Sequence, residues 1–169
     1  MIRPILRFGE QPLQARAADV GELTTDIQKL IDDMIETMYA APGIGLASPQ
    51  IGVPLRIFVV DLSLGRKPDD LMVFINPEFV QLEGMQLEEE GCLSIPGFNA
   101  TVARPMRAVI RGLDRTGATR TVEATELLAR AFQHEMDHLD GKLFLDRVRG
   151  IKRDLIVKKI RKLARAGKW

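Results

Sequence analysis

Two histidines and a glutamate give this sequence its clearest chemical signal. His134, Glu135 and His138 form an H-E-x-x-H pattern, and the 169-residue chain contains no other histidine. On a helix that turns about 100° per residue, the two histidines lie within about 40° of each other, so both imidazoles can bind one metal ion. Glu135 lies to one side, where it can exchange a proton with water instead of binding the metal. The pattern predicts a catalytic metal site on a helix.

The neighbouring residues predict that this helix is buried. From Glu123 onwards, apolar side chains fall on the same arc as the histidines, and Gly141 is a typical helix stop. Asp137 falls on the opposite, polar arc, which favours a solvated residue or a support for a ligand over a ligand itself. The alternative is a surface helix that carries two histidines by chance.

A third ligand is needed, and Cys92 is the best remaining donor. Common metalloproteases place the third ligand downstream, but Phe144 stands at the usual histidine position and no acid follows Asp154. Cys92 follows three glutamates, Glu88 to Glu90, and a glycine, Gly91. A Cys-His-His set leaves a fourth position open for water, as in catalytic sites. The alternative is a small buried hydrophobic cysteine.

Three stretches together resemble the motifs of the peptide deformylase family. They are Gly43-Ile44-Gly45-Leu46-Ala47-Ser48-Pro49-Gln50, Glu90-Gly91-Cys92-Leu93-Ser94 and Gln133-His134-Glu135-Met136-Asp137-His138-Leu139-Asp140-Gly141. Their order and separations match the family, and the resemblance spans nearly the whole chain. Ser48 departs from the pattern, because the family usually has a second alanine there.

The resemblance implies a metal-dependent amide hydrolase that removes the formyl group from formylmethionyl nascent polypeptides and releases formate. It implies Fe²⁺ as the working metal, with Zn²⁺, Ni²⁺ or Co²⁺ as possible substitutes. Glu135 would accept a proton from water and deliver it to the departing nitrogen. The Gln50 amide and the backbone N–H of Leu93 would stabilise the developing oxyanion.

The resemblance also implies a substrate cleft. A peptide would bind as an added strand against the glycine-rich backbone at Gly43 and Gly45, and a site crowded around Cys92 would admit only a formyl group. The methionine side chain needs an apolar pocket, for which Ile44, Leu127 and Ala131 are placed, and the alternative is that these three residues are core; Gly91 is a further substrate-binding candidate. Arg104 is a further substrate candidate near the groove, although its position in the sequence favours an exposed charge at a strand edge.

Periodicity predicts an α+β fold. Apolar residues recur at helical spacing over residues 25–39 and again after Gly150. Short segments bounded by turn residues predict antiparallel strands at residues 56–61, 71–76, 79–82, 100–104, 108–113 and 120–122. We therefore expect residues 1–169 to form a single catalytic domain, with small antiparallel sheets around a central helix that carries the H-E-x-x-H motif, and a C-terminal helix.

Composition favours a cytoplasmic protein with a basic tail. Hydrophobic residues make up 46% of the chain, yet no apolar run is long enough to cross a membrane, and there is one cysteine. Residues 147–169 carry ten of the 24 lysines and arginines and one of the 23 acids. This segment is either a solvated helix or a contact with ribosomal RNA phosphates.

Two other functions are compatible with the residues. A general metallopeptidase would cleave internal peptide bonds. A non-catalytic module would use the metal for stability and the basic tail for ribosome binding, but this requires four protein ligands. The missing downstream ligand argues against the metallopeptidase, and Glu135 decides between an enzyme and the non-catalytic module, because only an enzyme needs it for turnover.

Overall fold

The computed structural model describes all residues from 1 to 169, and it has an α+β architecture. The three α-helices are α1 (Thr25–Ala40), α2 (Glu126–Leu139) and α3 (Ile151–Arg165). The seven strands are β1 (Gly45–Ala47), β2 (Ile57–Val60), β3 (Met72–Glu83), β4 (Gln86–Gly91), β5 (Asn99–Arg104), β6 (Arg107–Leu113) and β7 (Thr119–Thr125). All pairings are antiparallel, in a five-stranded sheet of order β1-β2-β3-β6-β7 and a two-stranded sheet of β4 and β5.

The five-stranded sheet separates α1 from the metal-motif helix α2. Successive side chains of a strand point to opposite faces, and β2 is buried on both of them. Phe58 packs with Phe74 and with Phe132 of α2, at ring-centroid distances of 5.2 and 6.2 Å. Ile57 belongs to the other core, which α1 covers. The strand β2 therefore packs against α2 on one face and against α1 on the other.

The β4–β5 hairpin is fixed by a third core that includes the C-terminal helix. Val102 of β5 is buried with Phe144, Ile156 and Ile160. Ile156 and Ile160 are the only buried residues of α3. Trp169 then packs edge-on against Phe98, and its indole N–H donates to the carbonyl of Phe8. The C-terminal helix expected from the sequence is therefore present and packed beneath the hairpin.

Several predicted boundaries were wrong. Residues 71–76 and 79–82 belong to one twelve-residue strand, β3, with register irregularities near Asn76. Residues 119–125 pair with β6 throughout, so α2 begins at Glu126 and not near Glu123. The prediction also missed β1, which has three residues, and β4, whose three glutamates give no apolar signal.

Candidate metal centre and substrate cleft

Cys92, His134 and His138 converge on one point. Cys92 Sγ lies 3.4 Å from His138 Nε2, which lies 3.2 Å from His134 Nε2, and the three donor atoms are all within 4.8 Å of one another. Ligands around a tetrahedral ion with bonds of about 2.0–2.3 Å are separated by about 3.3–3.6 Å. The donor types and their separations therefore fit a divalent metal ion with an open fourth position.

The chain fixes these donors from two elements. Successive turns of α2 present the two histidines, as the spacing predicted. Cys92 directly follows β4, and the backbone N–H of Ser94 donates to its Sγ at 3.4 Å. Gly91 lies close to the paired strand at the end of β4, because a Cβ there would lie 2.5 Å from Asn99 Oδ1 and would displace that side chain.

Glu90 supports the metal site through a hydrogen bond to His134. Its carboxylate accepts from His134 Nδ1 at 2.5 Å, from Arg104 through two hydrogen bonds of 2.6 and 2.8 Å, and from Arg130 at 2.6 Å. Burial alone would raise the pKa of Glu90, but Arg104 and His134 hold it far below its usual range. The carboxylate therefore fixes the His134 ring with Nε2 directed at the metal site.

Arg104 does not lie where the sequence placed it. It is neither an exposed strand-edge charge nor a residue of the peptide groove, because it is only 1% exposed and binds Glu90 and Asp137. Alternation along β5 directs it inward together with Val102. Period-two alternation was visible in the sequence, but an arginine at an inward position is unexpected unless its partners are known.

Asp137 is buried and not solvated. Its carboxylate accepts from Arg104 Nη1 at 3.0 Å and from Arg147 through two hydrogen bonds of 2.6 Å. The polar arc of α2 thus faces the β4–β5 hairpin, where paired charges satisfy it. The expectation that Asp137 supports a ligand agrees with its connection through Arg104 to Glu90 and His134.

Glu135 stands beside the metal site without a partner. It is 3% exposed, and its Oε2 atom makes no hydrogen bond. Burial raises its pKa to about 7. Gly45 makes room for it, since a Cβ at that position would lie 2.5 Å from Glu135 Oε1. A carboxyl group of this pKa can both accept and return a proton near neutral pH.

The pKa values of the two imidazoles are shifted in opposite directions. Burial holds the pKa of His138 well below its usual range. Burial also opposes protonation of His134, but its contacts with Cys92 and Glu90 outweigh this and raise its pKa well above the usual range. A metal cation would occupy the place of that proton, because only the unprotonated nitrogen can donate to a metal.

Gln50 and Leu93 line the same cleft as Cys92. The amide oxygen of Gln50 accepts from the backbone N–H of Ala47 at 2.9 Å, which turns its Nε2 towards Cys92 Sγ at 3.8 Å. Ser94 Oγ accepts from the same nitrogen at 3.1 Å. The backbone N–H of Leu93 has no backbone acceptor.

A cleft of about 420 Å³ opens above these groups. It is lined by most of the residues predicted for substrate binding, namely Gly43, Ile44, Gly45, Gly91, Leu127 and Ala131. Arg104 does not line the cleft. Pro42, Glu89 and Arg130 do line it but were not predicted from the sequence. The cleft lies between β1 and β4, which are the edge strands of their sheets and each leave one edge unpaired.

Ser48 is accommodated by a hydrogen bond. The side chain is fully buried, and its hydroxyl donates to the carbonyl of Val53 at 2.8 Å. The departure from the family pattern therefore leaves no buried polar atom without a partner at this position.

Comparisons with known proteins agree with this geometry. A model of the polypeptide deformylase family matches residues 2–154. A peptide deformylase of Acidobacterium capsulatum is 48% identical over 169 residues, covering 100% of this chain and 99% of the relative. One from Thermodesulfovibrio yellowstonii is 50% identical over 160 residues, covering 95% and 97%.

Solved structures show the same relationship. The peptide deformylase of Legionella pneumophila superposes with a TM-score of 0.92 at 41% identity, covering 99% of this chain and 98% of that one. The Synechococcus elongatus enzyme in complex with actinonin gives 0.89 at 36% identity, covering 95% and 90%. No helix of the structure is long and apolar enough to span a membrane. The chain belongs to the polypeptide deformylase family, whose members are metal-dependent hydrolases that deformylate nascent polypeptides.

Proposed function

We propose that this chain removes the formyl group of formylmethionyl peptides with the residues of the Cys-His-His cluster and its neighbours. Cys92, His134 and His138 hold the metal, and Glu135 transfers the proton. The observation that supports this most strongly is the convergence of three metal donors beside a buried carboxylate oxygen that has no partner.

The bound cation would supply a water of lowered pKa and polarise the formyl carbonyl oxygen. Glu135 takes a proton from the attacking water, which its pKa of about 7 allows. As the tetrahedral carbon collapses, Glu135 gives this proton to the methionine nitrogen. The C–N bond breaks, and formate and a free amino group result.

The negative charge on the former carbonyl oxygen needs preplaced donors. The Gln50 amide is held in one orientation by Ala47 and Ser94, and the backbone N–H of Leu93 is free. Such donors stabilise the transition state without rearranging at the moment of reaction. We assign the oxyanion contacts to these two groups.

The peptide binds as a strand between β1 and β4. Both strands offer an unpaired edge, and main-chain hydrogen bonds to them do not depend on side-chain identity. Ile44, Leu127 and Ala131 receive the methionine side chain. Gly43, Gly45 and Gly91 line the cleft and provide the backbone beside the substrate, and we expect the crowding around Gly45, Cys92 and Leu93 to admit a formyl hydrogen but not a larger acyl group.

A paired-substrate assay tests the proposal. Metal-loaded protein is incubated with formyl-Met-Ala-Ser and with its acetyl counterpart, and formate, acetate and free amine are quantified. We expect formate and amine in equal amounts from the first peptide and no product from the second. Cleavage of internal bonds would instead identify a general peptidase, and no turnover with metal bound would favour a structural metal module.

We propose Fe²⁺ as the working metal, because the peptide deformylase family is associated with ferrous iron; a single thiolate with two imidazoles also accepts zinc, nickel and cobalt. A thiolate on ferrous iron is sensitive to oxidation. Anaerobic purification should therefore give more activity and more iron per chain than aerobic purification, and peroxide should remove the activity. Equal activity in air with full zinc content would refute the iron assignment.

We propose that residues 1–169 act as one catalytic domain in the cytoplasm, where formylated nascent chains are its substrates. The basic segment 147–169 is a proposed ribosome contact, because α3 buries only Ile156 and Ile160 and leaves most of its cations exposed. Co-sedimentation with ribosomes that weakens steeply with salt, and that is lost when the exposed α3 lysines become glutamine, would support this contact.

A further inference from the structure

A second concavity runs along the outer face of the β4–β5 hairpin. This hairpin groove has a volume of about 800 Å³, and its other wall is the segment that leads into α3. The residues that matter here are Leu87, Glu89, Ala103, Arg147, Arg149 and Lys152. Leu87 and Glu89 alternate with Gln86 and Glu90 along β4, so their side chains lie on the opposite face of the strand from the buried Glu90.

The hairpin groove is continuous with the substrate cleft through Glu89, which lines both. β4 leads from one to the other, and its outer edge is unpaired. At about 3.3 Å per residue, Glu89 is about 10 Å along the chain from Cys92. A peptide that pairs with this edge from the metal outwards therefore passes Glu89 at about its fourth residue.

The hairpin groove carries two cations without ion-pair partners. Arg147 is bound by Asp137, whereas Arg149 and Lys152 are exposed and form no salt bridge. Asp146, also in its wall, accepts from the backbone N–H of Leu143 and lies 3.8 Å from Arg153. The free charges are thus the two cations and Glu89, which also lacks an ion pair.

We propose that the hairpin groove binds the nascent chain downstream of the formylmethionine, at about residues four to eight, and favours acidic side chains there. This inference rests on the proposed deformylase activity and names a further part of its substrate. Leu87 and Ala103, which are cross-strand partners on one face of the hairpin, supply apolar contacts, and Arg149 and Lys152 supply the charge preference.

Three formyl-Met substrates test this proposal: the tripeptide formyl-Met-Ala-Ser and two octapeptides that extend it with either two aspartates or two lysines at positions five and six. We expect kcat/KM for the aspartate octapeptide to exceed that for the lysine octapeptide by roughly three- to tenfold at low salt, because exposed ion pairs are individually weak. The difference should lie in KM and shrink as salt is added.

Amino-acid substitutions test which residues of the hairpin groove cause the charge preference. Arg149→Gln with Lys152→Gln should abolish the preference, and Ala103→Trp should raise KM for both octapeptides while leaving the tripeptide unchanged. Lys158→Gln with Lys159→Gln removes the same charge from the exposed surface of α3 and should leave kcat/KM for all three peptides unchanged, because this assay contains no ribosomes.

The outcomes separate the two claims. If the tripeptide releases no formate, the proposed activity itself fails. If the tripeptide is deformylated but the octapeptides show no dependence on charge, or if the preference persists in the Arg149 and Lys152 variant, the hairpin groove is not a substrate site.

Discussion

Glu90 and His134 share a hydrogen bond of 2.5 Å between a carboxylate oxygen and Nδ1, and the same carboxylate also binds Arg104 and Arg130. His134 thereby has one nitrogen committed to the protein and the other free for a metal. The three glutamates before Cys92 thus have different surroundings, because Glu90 is buried while Glu88 and Glu89 are exposed.

Replacing Glu90 with glutamine should weaken metal binding by roughly 10- to 100-fold, because the ring of His134 loses its anionic partner. Arg130 would also be left buried without a charge partner, and Arg104 would keep only Asp137, which lowers stability. Metal affinity is measured by competition with a chelator, and stability by thermal unfolding of the metal-free protein. Glu88→Gln is the matched control on the same strand. Unchanged affinity in a folded Glu90→Gln protein would refute the positioning role.

The network of Glu90 also predicts acid sensitivity. Because the folded-state pKa of Glu90 lies far below its usual range, its ionised form stabilises the native state above the ordinary glutamate pKa. This contribution should be lost as the pH falls through the acid range towards the folded-state pKa. Urea unfolding of wild-type protein and Glu90→Gln at several pH values measures it, and the two should converge in stability as the pH falls.

Replacing Glu135 with glutamine should lower kcat by roughly 10²- to 10⁴-fold and leave bound metal unchanged. The amide keeps the size of the side chain but cannot accept the proton. Formate release and metal content are measured on the same preparation. Retention of more than a tenth of the activity at full metal occupancy would exclude Glu135 as the proton carrier.

Gly45→Ala tests the close approach of β1 to the catalytic carboxylate. The new Cβ would lie 2.5 Å from Glu135 Oε1, so the carboxylate must move. Displacement of a catalytic group by about 1 Å costs roughly 10²-fold in rate, and we expect a loss of this size in kcat/KM with formyl-Met-Ala-Ser. Gly21→Ala is the control, since no atom lies within 4 Å of its added Cβ. Normal kinetics in a folded Gly45→Ala protein would contradict the described geometry.

Tyr39 provides a spectroscopic test of the fold, because it is the only tyrosine. Burial, with its hydrogen bond to Asp61, raises its pKa to about 12 from an ordinary value of 10. The neutral side chain therefore stabilises the native state below pH 10, and this contribution is lost as the pH rises towards about 12. Ultraviolet titration should give a midpoint of about 12 in buffer and about 10 in denaturant. Asp61→Asn should lower the folded value, and identical midpoints in buffer and denaturant would be inconsistent with the described contact.

Sequence patterns located the metal donors because their chemistry leaves a local signature. The spacing of His134 and His138 predicts their approach on any helix, and apolar periodicity predicted α1 and α3. Cys92 could be reached only by exclusion and resemblance, since its distance from α2 depends on the packing of the β4–β5 hairpin.

Buried charges were the main failure of sequence reasoning. Arg104, Arg130 and Asp137 are polar residues at inward positions, and their burial depends on partners from other elements. No local pattern reveals such partners, because charged residues are ordinarily exposed. The same limitation hid β4, because its two buried side chains, Gln86 and Glu90, are both polar.

X-ray absorption at the metal edge of the reconstituted protein tests the central claim most directly. One sulfur at about 2.3 Å and two imidazole nitrogens at about 2.0–2.1 Å are expected with zinc, together with one light oxygen ligand. The sulfur contribution should disappear in Cys92→Ser while the imidazole scattering remains. A wild-type spectrum without sulfur, or without imidazole, would show that Cys92, His134 and His138 do not share one metal ion.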